Sequence, residues 1–211
     1  MNIIKSIKIT TSSIILAGLS SASLLAGSMS FDFKDPKGVN NAQFLLDAPL
    51  EQISGFANGV SGTINYDPAH PEKTTGSIII DAKTITVGNP MMLDHLQGPK
   101  WLDVNTHDTI SFEAKSFSNV KESAGKVSAD VTGSFTLKGV KKEITVPVSF
   151  AYLEDKLGAR MNKKDLKGDL LVVRSDFTIN RSDYGIMPGQ NEEKVDEKIA
   201  ISLRVVGAHQ H

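Results

Sequence analysis

From Val127 to Lys138 the chain alternates without a slip: Val127, Ala129, Val131, Gly133, Phe135 and Leu137 on one side, Ser128, Asp130, Thr132, Ser134, Thr136 and Lys138 on the other. A period of two puts one set on each face of a half-buried β-strand. Gly139 then signals a turn beside Lys141 and Lys142, and the alternation restarts with Ile144, Val146, Val148 and Phe150. Together the two runs predict a hairpin. Pro147 in the second run lacks a ladder donor, so the sequence places it near an edge or a bulge, or at a position free of pairing.

The same rhythm recurs in Phe56, Asn58, Val60, Gly62, Ile64 and Tyr66, in Leu171, Val173, Ser175, Phe177 and Ile179, and in Ile199, Ile201, Leu203 and Val205. The chain is therefore read as all-β and mainly antiparallel, because strands with one apolar and one polar face suit such a sheet. Breaks rich in Gly, Asp, Asn and Lys at 67–75, 118–125 and 155–168 read as loops. A sheet with one apolar face can pack on a second sheet or close into a barrel, and periodicity leaves both open. Small inward groups such as Ala129 and Gly133 leave room inside.

One segment departs from the rhythm. Asn89 caps, Pro90 occupies the first helical position, and Gly98 and Pro99 end the run, so residues 90–97 predict a short helix. Met92 and Leu96 lie four apart and Leu93 and Leu96 three apart, forming an apolar stripe.

Residues 1–28 open with Lys5 and Lys8, continue through the apolar stretch around Ile14–Leu19, and close in small residues at Ala22, Ala26, Gly27 and Ser28. This is secretory signal grammar, with cleavage expected after Ala22 or Ser28. Serines interrupt the apolar stretch before it reaches the roughly 20 residues of a membrane span. The reading is a signal peptide at 1–28, one domain at 29–211, and a periplasmic or secreted product with no stable span after cleavage. No cysteine is present, which removes disulfides, thiolate metal sites and a lipoprotein anchor. Losing 1–28 takes the net charge from −1 to −3, against a nucleic-acid partner.

Two segments carry a family likeness: Gly133–Ile144 (GSFTLKGVKKEI) and Phe177–Ile186 (FTINRSDYGI). With Leu93–Leu96, Trp101–Asp103 and Val195–Ile201 in the same order and spacing, they resemble the YceI family over most of residues 30–206. The resemblance implies an extended lipocalin-like barrel of about eight strands with a short helix packed at one end. It also implies a tunnel for a polyisoprenoid, an isoprenoid quinone or a fatty-acid-like chain, and dimers in some members. One departure is Asp47-Ala48-Pro49-Leu50, where family members often carry a histidine.

The residues expected to meet an apolar lipid or isoprenoid ligand are Met91, Met92, Leu93, His95, Leu96, Trp101, Phe112, Phe135, Phe177, Arg181 and Ile186. His95 beside Asp94, near Asp103 and His107, is the one grouping that invites a catalytic reading; its bland alternative is a hydrogen bond fixing the helix. Arg181 has two readings, an ion pair with Asp183 or a contact to a polar ligand head. His209 and His211 sit on a tail read as mobile and able to hold a metal only weakly. No zinc-binding His pair, nucleophile elbow or phosphate loop is present, so no enzyme activity, cofactor or metal is assigned. A side-chain-filled barrel working through its surface is the remaining alternative.

Overall fold

A computed structural model describes residues 27–211; the signal-peptide reading falls almost wholly outside them. The strands are β1 (Met29–Asp32), β2 (Asn41–Asp47), β3 (Gln52–Ala57), β4 (Val60–Tyr66), β5 (Thr75–Asp81), β6 (Thr86–Val87), β7 (Thr109–Ser123), β8 (Lys126–Leu137), β9 (Val140–Leu153), β10 (Gly168–Asn180) and β11 (Lys198–Gln210). Two short helices, α1 (Pro90–Gln97) and α2 (Leu157–Met161), lie between β6 and β7 and between β9 and β10. Among the described residues no helix is long and apolar enough to cross a membrane.

The sheet runs β1-β4-β5-β7-β8-β9-β10-β11 and closes by pairing of β1 with β11, giving an eight-stranded antiparallel barrel. The same edge of β11 also carries β2, to which β3 and then β6 are added. The pairs β1/β2, β3/β4 and β5/β6 thus act as broken strands: one piece completes the barrel and the other extends its wall at one end. At that near end β6 has no bonded partnership with β7, and α1 joins the two.

The β8–β9 hairpin forms as read, with the turn at Lys138 (φ 49°) and Gly139 (φ 73°) and with Lys141 and Lys142 already in β9. Positive φ at both central residues is the turn whose twist matches the flanking strands. Three other expectations need correcting. The run from Phe56 to Tyr66 is two strands, and the Asn58-Gly59 step between them shifts the alternation, so Ala57 is buried and Phe56 faces out. The stretch 118–125 is mostly strand: β7 runs to Ser123, and register shifts between Ala114 and Ser116 and between Ser118 and Lys121 hide its period. Gly133 does not leave space, since a Cβ there would lie 2.6 Å from the Phe112 ring. The glycine lets that ring cross β8.

Pro147 sits where the β9–β10 ladder stops. That ladder runs from Leu170↔Leu153 to Ser175↔Val148, while β9 continues on β8 to Val140 and β10 continues on β11 to Asn180. Beyond Pro147 the two strands form a seam. Side chains serve the groups at its apex: Ser175 Oγ donates to Pro147 O (2.7 Å), and Arg204 Nη1 donates to Ser175 O (3.1 Å). Further along, Lys142 pairs with Asp183 (2.7 Å) and Tyr184 packs edge-on to Phe135.

Candidate functional site: an apolar cavity along the barrel

Inward residues from all eight wall positions enclose a cavity of about 180 Å³; Phe44, Ile64, Ile78, Phe112, Phe135 and Phe177 are representative. Among the described residues no Asp, Glu, Lys, Arg or His lines it. Its few polar contributors are Gln43, Thr74, Thr75, Ser77, Ser111 and Ser175. The alternation of the strands produces this: every second side chain is apolar and points in, and the charges face water.

At the far end, aromatic and aliphatic side chains make a floor. Phe31, Phe33 and Leu171 are fully buried, Phe31 meets Tyr152 edge-on at 6.3 Å, and Tyr66 stacks on Phe150 at 6.0 Å. Around them Asp35 accepts from the backbone N–H of Lys37, Val39 and Asn40 and pairs with Arg160 at 3.1 Å. Burial pushes the Asp35 carboxyl up, but those donors and the guanidinium outweigh it and hold it below its ordinary range. Asn40 bridges to β11, receiving from Val206 N and donating to Val206 O.

Asp169, 2% exposed, is held low in the same way. Burial opposes its charge, while Asp155 N (2.9 Å), Tyr152 OH (2.9 Å) and His211 Nε2 (3.0 Å) support it. Asp155, Asp169 and His211 are the one grouping among the described residues with metal-ligand spacing, and the Asp169 oxygens already have protein partners. The terminal histidines are not a loose tail: β11 runs to Gln210, and His209 Nδ1 lies 3.0 Å from Ser30 O.

At the near end α1 forms as read, its first turn capped by Asn89 Oδ1, which accepts from Met91 N (2.9 Å) and Met92 N (3.2 Å). The chain then folds back, with Leu102 N donating to Leu96 O. This places Leu96, Trp101 and Leu102 over the cavity. Of the expected ligand residues, Leu96, Trp101, Phe112, Phe135, Phe177 and Ile186 line the cavity; Met91, Met92, Leu93, His95 and Arg181 do not. Met91 is 70% exposed, Met92 packs against Leu46, Ile53 and Val195, and His95 is exposed. Leu96 is the one residue of α1 that reaches the cavity, because the helix lies over the rim of the barrel.

Arg181 is fully buried, and its partner is not Asp183. Its guanidinium donates to the carbonyls of Asp196 (3.1 Å), Ile186 (3.0 Å), Met187, Gln190 (2.6 Å) and Val195 (3.4 Å), with Glu197 Oε2 at 3.7 Å. All five N–H groups are used on the loop that follows β10, and Ser182 clasps Glu197 through its N–H and hydroxyl. That loop carries Ile186 to the cavity. Phe44 and Phe117, which also line it, escaped the sequence reading: β2 was not read as a strand, and Phe117 follows the first β7 register shift.

Comparison with known proteins agrees with this geometry. A UPF0312 protein of Pseudomonas fluorescens (strain SBW25) is 31% identical over 152 residues, covering 71% of this chain and 72% of the relative. Among solved structures, BcnA of Burkholderia cenocepacia superposes with a TM-score of 0.65 at 20% identity, covering 79% of this chain and 95% of that one. A polyisoprenoid binding domain from Saccharophagus degradans does so with 0.59 at 12% identity, covering 87% and 99%. The sequence matches the YceI-like domain over residues 28–207, and the chain belongs to that family.

Proposed function

We propose that this is an exported, non-catalytic binding protein that shelters a long apolar chain, whether polyisoprenoid, isoprenoid quinone or fatty-acid-like, inside its barrel. The observation that carries the reading is the cavity itself: apolar walls along the barrel axis with no charged side chain among them. An apolar void of this scale stays dry and accepts apolar guests, an engineered cavity of roughly 150 Å³ that takes up benzene being one example. A long chain threads through it and leaves its remainder beyond the wall. Burying about ten methylenes at roughly 0.8 kcal/mol each supplies on the order of 8 kcal/mol before the costs of association and chain ordering, which supports micromolar or weaker binding. The polyisoprenoid binding domain among the structural relatives supports the same ligand class. The signal-like sequence of residues 1–28 supports export to the periplasm or beyond.

Native mass spectrometry with solvent extraction, on protein purified gently from its own cell envelope, tests the reading. A one-to-one adduct of a long-chain lipid is expected, and the same spectra show whether copies pair. A clean apo mass that persists after loading with lipid would overturn the proposal.

A further inference from the structure

Resting on that reading, we propose that the seam between β9 and β10 lets the ligand's head leave the barrel, and that the groove outside its apex binds an anionic head, a phosphate or a carboxylate. An ionised head cannot sit among the apolar walls, where its lost hydration would have no compensation. It must emerge where the wall opens.

At the seam apex a single layer of residues separates the inside from the outside. Val148 and Ser175 line both the cavity and an outer groove that also includes Lys121, Asp130, Arg174, Asp176 and Arg204. Three cations there face two carboxylates, and both carboxylates are engaged. Asp176 takes Arg204 Nη2 at 2.7 and 2.8 Å and Ser202 Oγ at 2.5 Å, and Asp130 accepts from Asn119 Nδ2 at 2.7 Å.

Arg174 and Lys121 have no salt-bridge or side-chain hydrogen-bond partner among the described residues. Arg174 lies directly opposite Arg204 across the β10–β11 ladder; Asp176 balances Arg204, which leaves Arg174 as the cation of that pair with its charge uncommitted. Lys121 reaches the groove because residues 119 and 120 of β7 have no counterparts on β8. The rival exit, by α1, would pass Asp94, Asp103 and Asp108 with Lys83, Lys100 and Lys138, and Lys138 Nζ is already committed to the carbonyls of Lys100 and Gly185. A planar guanidinium with its donors uncommitted suits either head.

The test uses the mature chain and displacement of the uncharged dye N-phenyl-1-naphthylamine by dodecyl phosphate, dodecanoate and dodecanol. Both anions should displace the dye better than the alcohol, and added salt should narrow the gap. Replacing both Arg174→Ala and Lys121→Ala should weaken the two anions about tenfold, leaving dye and dodecanol affinities unchanged. Lys100→Ala at the α1 exit should leave all four unchanged. Equal anion affinity in the double variant and the wild type, or loss of anion preference in Lys100→Ala, would overturn the seam assignment while the cavity reading stands. Failure of wild-type protein to bind dye or dodecanol would instead sink the cavity reading, and this one with it.

Discussion

Each end of the barrel is pinned by an arginine, partly buried at one end and wholly buried at the other, and the two do different jobs. At the far end Arg160 pairs with Asp35 and donates to Asn40, 120 residues away in sequence, joining α2 to the β1–β2 connection and, through Asn40, to β11. At the near end Arg181 binds carbonyls only five to fifteen residues ahead of it. The first arginine is part of the global fold, since its contacts exist only once the barrel has closed. The second staples one loop to itself, producing a preformed unit that docks on the rim and brings Ile186 to the cavity. One end is a floor and the other a fitted cover.

The sharpest break in this comparison should come from Asp35→Ala, which takes the acceptor from three backbone N–H groups and from the partly buried Arg160 and, at roughly 1 kcal/mol per lost bond, costs about 4 kcal/mol. Urea denaturation should show it as a lower midpoint for the whole chain. Arg181→Ala leaves five carbonyls without their donor and should cost about 3 kcal/mol, felt mainly as local opening. Hydrogen exchange should then accelerate across 182–197 with β7–β10 still protected; uniform acceleration would mean that the near end is as global as the far one.

Acid sharpens the contrast. Asp35 and Asp169 have folded-state pKa values below the ordinary carboxylate value, about 3.9 in an unfolded chain. Their stabilisation is complete above that value and is lost as pH falls through the folded-state values. Exchange protection around 33–40 and 155–169 should therefore fail below about pH 4, ahead of the Arg181 loop, which is held chiefly by neutral carbonyls. The smallest effect belongs to His95→Ala: the side chain is exposed, so stability should change by no more than about 0.5 kcal/mol and dye affinity not at all. A large loss of either would reinstate His95 as part of the site.

How much of this was legible in the sequence follows from how local each feature is. The β8–β9 hairpin and the caps of α1 depend on residues within a few positions of one another, and both form as read. Phe135 and Phe177 were recoverable because strand alternation fixes which side faces in. Closure of the sheet rests on β1 meeting β11, a pairing between opposite ends of the domain that no local pattern encodes. The residues of α1 were overread, because an apolar stripe shows that a helix covers something but not which of its residues reaches through. Arg181 was misread because its partners are backbone carbonyls, which carry no side-chain signature. Asp183, the carboxylate nearest it in sequence, belongs instead to Lys142.

The stop at Pro147 also bears on solubility. A barrel bonded all the way round offers no free strand edge for another molecule to extend, and this one gives up that protection along half of β9 and the end of β10. Lys141, Lys142 and Glu143 populate the exposed length, and proline denies one donor at its apex. Such an edge is a poor template for intermolecular pairing. The chain can thus keep a parting in its wall at high concentration without being drawn into aggregates through it.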